Sequence, residues 1–445
     1  MKYRRILAAL SALSLMMTVC SCGKDDQNDK SDTSDISATE VTADGEKESK
    51  SSEKETKSND KKTTTKAADK SEKSTTTTKS GEKKSDVTTA AKKSGSAAAT
   101  TAANSGNNNG DNNSNNNGGD VSTPEVPADD GSTNNEGEVK EYTAEVELGS
   151  SPKVKGTNVS VSGSVVTVTA GGDFIFRGTV SDGQICVNTA TEEKVTIVLD
   201  GVDITNSNGP AIFINEAKKC TIKSREGTVN YLSDGGKDKQ NNAVIFSNDT
   251  IRLKGNGELN INANNAHGIS SDDDIIIDNG TYNINSVKSG LIAHDDITIN
   301  EGRLNIKGGT NGIKSKGTLN INGGYSVISG GTKEEKSSVY SEQSFNYTGG
   351  YVYAAGNKVS VPSYSENPCV VAALDNSYDG GSDVKLYLNG SEMISFQPHN
   401  SFRCVMMLAP EISSGNSFSI SVNGRGSNDI TVEDGCQQYS VQLSD

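Results

Sequence analysis

The feature of this sequence with the clearest chemical potential is a set of aspartates that recurs in successive, similar segments. When the segments are aligned, Asp249, Asp273 and Asp295 share one column, and Asp274 and Asp296 share the next. Adjacent β-strands lie about 4.8 Å apart. At that distance two unpaired carboxylates repel by roughly 3.5 kcal/mol at an effective dielectric near 20, and by about 1 kcal/mol in bulk water. This stacking indicates either a bound cation or a solvated acidic corner.

Calcium is the cation that such columns would favour, because it is a hard ion that takes several oxygen ligands. A third column contains Asn248, Asp272 and His294. The sequence therefore predicts a calcium site, and the solvated corner remains the alternative. The candidate ligands are Asp249, Asp272, Asp273, Asp274, Asp295 and Asp296.

Tyrosines are the second group with chemical potential, since the chain has no tryptophan and its tyrosines concentrate near residues 325–353. Strand alternation places some of these rings outward, where a ring can stack on the face of a sugar. Covering the open end of a repeat structure is an equally good role for them. The candidate sugar-binding residues are Tyr325, Tyr347, Tyr351 and Tyr353.

Catalytic machinery is harder to find. The sequence contains no GxSxG, HExxH or P-loop pattern. A polysaccharide lyase needs a base, usually Arg or Lys, beside cation-held uronate groups. Lys288, Lys314, Lys316 and Arg303 lie near the acidic columns but form no recognisable constellation. The expectation is a protein that is not an enzyme, with a lyase as the alternative.

The elements that position these residues are internal repeats. Turn glycines Gly280, Gly302 and Gly324 recur every 22 residues. Each unit alternates β-branched and polar residues between Asn-Gly or Gly-Gly breaks, which predicts strands and one coil of a solenoid. The fold class is therefore all-β, a right-handed parallel β-helix of about 22 residues per coil. The repeated segments are IRLKGNGELNIN from Ile251, IIIDNGTYNINS from Ile275, ITINEGRLNIKG from Ile297 and LNINGGYSVISG from Leu319.

Alternation also predicts what faces inward. Pairs such as Ile275 and Ile277 should stack coil over coil, and a second inward face should contain Leu259, Tyr282 and Leu304, with their partners two residues on. A third inward row is Ile269, Leu291 and Ile313. Between the inward positions an outward amide ladder is expected at Asn260, Asn283 and Asn305, with a structural role favoured over ligand binding.

Four regions follow from composition. Residues 1–22 read as a secretory signal that ends in Val19-Cys20-Ser21-Cys22, which is similar to a bacterial lipobox and predicts acylation at Cys22. Residues 23–138 are rich in Ser, Thr, Lys and Asn and contain almost no large apolar residues, so a disordered linker is expected. Residues 139–368 should form the β-helix and 369–445 its β-rich cap.

Charge narrows the partners of the predicted folded part. Residues 139–445 contain 24 basic and 35 acidic side chains, a net charge of −11. This disfavours nucleic acid, whose phosphates require Lys and Arg. Direct binding to an acidic polymer is also disfavoured unless a cation bridges the two. Of the cysteines here, one pair among Cys369, Cys404 and Cys436 is one option, and buried free thiols are the other.

Several stretches resemble a bacterial family of carbohydrate-binding β-helix proteins related in shape to pectate lyases. The resemblance covers nearly all of residues 142–445. It implies bound calcium and adhesion to pectin- or cellulose-type polymers without cleavage. The stretches are GGDFIFRGTVSDGQICVN (171–188), VTIVLDGVDITNSNGPAIFI (195–214), EGTVNYLSDG (226–235), the GIxxxxDIxI coils (268–299) and VMMLAPEISSGNSFSISVNG (405–424).

The expected function is thus a lipid-anchored, calcium-assisted binder of plant cell-wall polysaccharide (pectin- or cellulose-type) on the outer face of a bacterial membrane, projecting through the wall. The expected state is a monomer without a nucleic-acid partner. Two alternatives stay open, a β-helix polysaccharide lyase and a structural wall adhesin with a protein partner.

Overall fold

The computed structural model describes residues 141–235, 241–333 and 336–445, and their regular structure consists of strands. The predicted signal segment, the lipidation at Cys22 and the predicted linker 23–138 lie outside the described residues. The described part contains no helix that is both long and apolar enough to span a lipid bilayer.

The strands follow one another at short intervals. The first twelve are β1 (Ala144–Glu147), β2 (Lys153–Gly156), β3 (Val159–Ser162), β4 (Val165–Val168), β5 (Gly172–Val180), β6 (Gln184–Asn188), β7 (Lys194–Asn206), β8 (Ile212–Glu216), β9 (Lys219–Ser224), β10 (Val229–Asp234), β11 (Ala243–Ser247) and β12 (Ile251–Lys254). The next fourteen are β13 (Glu258–Ala263), β14 (His267–Ser271), β15 (Ile275–Ile277), β16 (Thr281–Ser286), β17 (Leu291–Ala293), β18 (Ile297–Ile299), β19 (Arg303–Gly308), β20 (Ile313–Ser315), β21 (Leu319–Ile321), β22 (Tyr325–Ser329), β23 (Val339–Ser341), β24 (Phe345–Tyr347), β25 (Tyr351–Gly356) and β26 (Tyr364–Ser365). The last nine are β27 (Cys369–Tyr378), β28 (Val384–Leu388), β29 (Ser391–Phe396), β30 (Phe402–Leu408), β31 (Ser417–Val422), β32 (Arg425–Ser427), β33 (Ile430–Thr431), β34 (Cys436–Val441) and β35 (Leu443–Ser444).

Parallel pairing stacks most of these strands into three ladders, which form the walls of a β-helix. We call them face A (β9, β12, β15, β18, β21, β24, β26), face B (β10, β13, β16, β19, β22, β25) and face C (β4, β6, β8, β11, β14, β17, β20, β23). The long β7 pairs with β9 on face A and with β10 on face B. The predicted parallel β-helix is confirmed.

The repeat glycines have two different physical roles. Gly280, Gly302 and Gly324 have φ of 111°, 108° and 82°, a backbone conformation that costs a residue with a Cβ far more than glycine. Gly290 has an ordinary φ, but a Cβ there would lie 2.3 Å from Cγ2 of Ile306. The first series therefore turns the chain, and the second, represented by Gly290, lets faces C and B pack closely.

The core is a set of stacked apolar rows inside the three walls. Ile275 pairs directly with Ile251 on one side and Ile297 on the other, and all three are fully buried. Every inward residue predicted above is buried as well. Even Tyr282 fits, because its hydroxyl donates to the carbonyl of Asn279 at 2.8 Å. The stacking lets a chain that is only 32% hydrophobic build a continuous core.

The cap begins where antiparallel pairing replaces the parallel stack. β30 runs antiparallel to β25 and to β27, and β27 pairs in parallel with β34. A disulfide joins Cys369 to Cys436 across that last pair, while Cys404 remains a free thiol. A six-stranded sheet (β28, β29, β31, β32, β33, β35) completes the cap. Its apolar residues form a second core cluster together with Tyr325 and Tyr353 of face B.

Candidate functional site

The acidic columns line up as the sequence predicted. Ile251, Ile275 and Ile297 pair in register, which places Asp249, Asp273 and Asp295 in one column at the corner between faces C and A. Burial raises the pKa of Asp273, and the carboxylates of Asp249 and Asp295 raise it further. Negative charge is therefore concentrated at this corner.

Much of the hydrogen-bonding capacity of these carboxylates serves the backbone. Asp249 Oδ2 accepts the N–H of Ala217 at 2.9 Å, Asp274 Oδ1 accepts that of Asp296 at 3.0 Å, and Asp296 Oδ1 accepts that of Thr318 at 2.6 Å. Each bond links one coil to its neighbour where the chain turns. The columns thus have a structural role that the sequence pattern did not reveal.

The third column contains Asp272 and His294, whose Oδ1 and Nδ1 lie 3.4 Å apart on the exposed side of the corner. Within the described ranges, no group of three or more His, Cys, Asp or Glu side chains is arranged to hold a metal ion. The aspartates form a line and not a converging cage. Calcium binding stays a prediction, which the proposals below take up.

The tyrosine prediction is wrong for three of its four rings. Tyr347 and Tyr353 are 0% and 1% exposed, and Tyr325 is 6% exposed, so none offers a free ring face to a sugar. Tyr347 points into the core and donates its hydroxyl to the carbonyl of Gly350 at 2.6 Å. Such rings serve packing, in agreement with the alternative role of closing the end of the solenoid.

The cap is the reason that Tyr325 and Tyr353 are covered although they point outward from face B. Their ring centroids are 5.6 Å apart, and both rings belong to the apolar cluster of the cap. The fourth ring, Tyr351, is half-buried, and its hydroxyl donates to the carboxylate of Glu411 in the cap. Arg303 holds its guanidinium 4.8 Å from the centre of the Tyr325 ring.

The amide ladder of face B is present and open. Asn260, Asn283 and Asn305 occupy directly paired positions on β13, β16 and β19. Asn283 Nδ2 donates to Asn260 Oδ1 at 3.0 Å and to Glu258 Oε1 at 2.9 Å. These bonds fix the orientation of neighbouring amides and use both N–H groups of Asn283, while Nδ2 of Asn260 is buried without a partner. The side-chain oxygens keep capacity to accept further hydrogen bonds.

Tyr231 extends this ladder and is the residue that sequence reasoning missed. It pairs with Asn260 on one side and with Asp203 on the other, and it is 49% exposed. Val229, two residues earlier on the same strand and pointing the same way, is 43% exposed. We call Asp203, Tyr231, Asn260, Asn283 and Asn305 the Tyr231 row.

Asn230 explains how the strand presents this ring. Its side chain is fully buried, and its Oδ1 accepts the N–H groups of Gly201 and Val202 at 2.9 and 3.0 Å. With Asn230 and Leu232 facing inward, Tyr231 must face outward. The alternation in VNYLSD could have predicted an outward Tyr231. The prediction was missed because Asn230 occupies an inward position where an apolar residue is usual.

The basic residues considered for lyase chemistry are spread over different walls. Arg303 lies on face B beside Tyr325, whereas Lys314 lies on face C, 3.7 Å from Glu342 and 5.8 Å from the centre of the Tyr340 ring. Lys288 is exposed and Lys316 half-buried. Lys316 continues the column of Asp272 and His294 at the acidic corner, because Ala293 pairs with Ser315. The structure therefore places one of the four bases beside the aspartates and does not gather the four at one site.

Fold and surface together define a β-solenoid whose outward rows are available to a ligand. The chain belongs to the carbohydrate-binding domain-containing protein family, whose sequence model matches residues 162–435. The predicted resemblance to a bacterial carbohydrate-binding β-helix family is confirmed, and this membership supports a role in carbohydrate binding.

One relative is a carbohydrate-binding domain-containing protein of Acetivibrio thermocellus, 39% identical over 142 residues. The match spans 30% of this chain and 50% of the relative, so the chain spans about half the length of the relative that it matches. Among solved structures, a polysaccharide lyase-like protein from C. thermocellum, in a gadolinium derivative, is 28% identical with a TM-score of 0.43. That match covers 50% of this chain and 94% of the other.

Proposed function

We propose that this protein is a non-catalytic adhesion module that holds plant cell-wall polysaccharide along the Tyr231 row of face B. The observation that carries the proposal is Tyr231 itself, a half-exposed ring in register with Asp203 and Asn260 on an open, regular sheet. Membership of a carbohydrate-binding family supports the same assignment.

The chemistry of the row suits a sugar polymer. An aromatic ring offers an apolar face to the C–H groups of a pyranose and excludes water beneath it. The side-chain oxygens of Asn260 and Asn283 are acceptors for hydroxyl groups, and the amide of Asn305 carries both donors and an acceptor. Because these amides already bond to each other, binding costs little side-chain entropy. A chain of like sugars lying along the rod meets like side chains at each coil.

Two observations support binding without cleavage. The Arg303 guanidinium is engaged with the Tyr325 ring, and Lys314 lies near Glu342. Neither cation is therefore free to act as a base beside a uronate in the Tyr231 row. Release of unsaturated uronides from polygalacturonate, lost in Lys314→Ala or Lys288→Ala, would contradict this part of the proposal.

Calcium has a definite place in the proposal. The domain is strongly acidic, so a pectin-type polymer needs a cation bridge, and the Asp273 corner concentrates negative charge. Calcium should raise the melting temperature of the full chain, because binding only to the folded state stabilises it by mass action. Asp273→Ala combined with Asp295→Ala should remove most of that rise. An identical melting curve in calcium and in EDTA would contradict calcium binding.

The binding mode is tested by pull-down of the full chain on insoluble cellulose and on polygalacturonate, across salt and chelator. Pectin-type binding through calcium should be lost in EDTA and weaken in high salt. Cellulose-type binding through Tyr231 should resist both. Tyr340→Ala is the matched control, since Tyr340 is an outward tyrosine of face C. Retention on both polymers by Tyr231→Ala equal to that of Tyr340→Ala would overturn the assignment.

The proposal also includes anchoring by acylation at Cys22, motivated by Val19-Cys20-Ser21-Cys22. A diacylglyceryl group there would hold the mature protein on the outer face of the membrane. Mass spectrometry of the membrane-extracted protein should find this mass on Cys22. A soluble product that begins at another residue would exclude the anchor without affecting the binding proposal.

A further inference from the structure

Face A carries a second exposed tyrosine in a row of its own. Tyr364 on β26 is 54% exposed and pairs directly with Asn346, which in turn pairs with Asn320. Both asparagines are half-buried and alternate with inward residues, so the three side chains line up on the outer surface. We call Asn320, Asn346 and Tyr364 the Tyr364 row.

Hydrogen bonds hold this surface in one arrangement. Asn346 Nδ2 donates to Asn320 Oδ1 at 2.9 Å. In the adjacent column, Asn322 Nδ2 donates to Asn300 Oδ1 and Thr348 Oγ1 donates to Asn322 Oδ1, both at 3.0 Å. Each amide that donates one N–H to its neighbour keeps a second N–H for a ligand. The surface therefore repeats the chemistry of the Tyr231 row, with a ring followed by oriented amides.

The two rows differ in charge. The Tyr231 row includes Asp203, and Glu258 and Arg303 flank it on the same wall. The side chains of the Tyr364 row and of its adjacent column, from Asn300 to Thr348, are uncharged. The charged groups that border this column are both acidic: Asp278, whose Oδ1 accepts Nδ2 of Asn300 at 3.2 Å, and Glu366, which follows β26 beside Thr348. An anionic polymer would be repelled at both places. On an acidic domain, an uncharged surface rich in amides matches a neutral polymer of hydroxyl groups in both charge and hydrogen-bonding capacity.

We propose that the Tyr364 row is a second polysaccharide-binding site, specific for a neutral, cellulose-type chain, and that the rod is therefore bivalent. The proposal builds on the function assigned to the Tyr231 row. Tyr364 lies six strand pairings from β9, the face A strand of the coil that contains Tyr231, or about 29 Å along the rod. Because the rows also lie on different walls, one extended polymer chain cannot lie flat on both. Each molecule holds two chains together.

Bridging of cellulose nanocrystals tests this inference. The full chain carries Cys22→Ser, so that no acyl group contributes to aggregation, and light scattering follows the crystals. The protein with both rows intact should aggregate the crystals. Aggregation should decrease again at excess protein, because each crystal surface is then saturated. Tyr364→Ala should still sediment with the crystals, with about tenfold weaker binding at its own site and no bridging. Tyr364→Phe should bridge, because it keeps the ring, and Tyr340→Ala is the control.

Tyr231→Ala separates the two proposals in the same assay. If it binds and bridges like the parent while Tyr364→Ala fails to bridge, the site that acts together with the Tyr364 row is not the Tyr231 row. The face B assignment then fails, and the neutral site on face A stands. If Tyr364→Ala, shown to be folded by an unchanged melting curve, bridges like the parent, the second site is overturned. Failure of the parent to sediment with cellulose would overturn it as well.

Discussion

The two ends of face B make the most instructive comparison in this molecule. Tyr231 and Tyr353 occupy the same row of the ladder, linked through Asn260, Asn283, Asn305 and Val327. Tyr231 is 49% exposed and Tyr353 is 1% exposed. Strand alternation points both rings outward from face B. Only Tyr231 is exposed to solvent, because the cap covers the end of the wall that contains Tyr353. Pointing outward from a sheet is a local property, and exposure depends on what packs there later.

The strongest test of this contrast is truncation of the covered ring. Tyr353→Ala should destabilise the protein by about 3–5 kcal/mol, as expected for loss of a large buried ring. Tyr231→Ala, at the open end of the same row, should change stability by no more than about 0.5 kcal/mol. Urea unfolding of both variants measures the difference. Equal losses would mean that the two ends do not differ in packing.

Removing the disulfide of the cap should reduce the difference in packing between the two ends of face B. Replacing Cys369 and Cys436 by alanine removes a cross-link between residues 67 apart and should cost about 2–4 kcal/mol. Hydrogen exchange should rise in β27 and in β25 of face B, while β10 keeps its protection. Cys404→Ala is the control, because that half-buried thiol on β30 forms no disulfide. Unchanged exchange in β25 would show that the cross-link does not hold the cap on the wall.

Polysaccharide binding should depend on the exposed ring of Tyr231 and not on the covered ring of Tyr353. Tyr231→Ala should weaken polysaccharide binding about tenfold, or roughly 1.4 kcal/mol, since aromatic anchors carry much of the energy of an interface. Tyr353→Phe keeps the buried ring and should bind like the parent protein. Affinity electrophoresis with soluble polymer measures both. A larger loss in Tyr353→Phe would place the sugar at the covered end.

The smallest expected effect concerns the acidic corner between faces C and A. Because the folded state raises the pKa of Asp273, native protein holds this proton more tightly than unfolded chain, so stability falls as pH rises through the raised value. Asp273→Asn should therefore raise stability slightly at neutral pH, by less than about 1 kcal/mol given the partial solvent screening. Its advantage over the parent should disappear in acid. Melting curves from pH 3 to pH 8, with exposed Asp375→Asn as control, measure this.

The sequence was sufficient for the coil and its interior, because period-2 alternation and 22-residue spacing are local signals that each unit repeats. It also placed the aspartate columns and the Asn260–Asn305 ladder in register. The sugar-facing ring could not be found in the same way. Burial of Tyr325 and Tyr353 depends on contacts with β30 and the cap sheet, which are distant in sequence. Tyr231 was obscured because its inward neighbour is the buried Asn230, satisfied by backbone groups of another coil.

Three hydrogen-bonded ladders cross every junction between the regular coils, and this arrangement has a mechanical consequence. Tension applied along the rod pulls on the three walls together, since strands of faces A, B and C all pair with the coil before them. Tension across the rod instead shears only the wall to which it is applied. A force from a bound polymer that acts along the rod is therefore shared by all three ladders of hydrogen bonds. A force that acts across the rod is borne by the ladder of one wall.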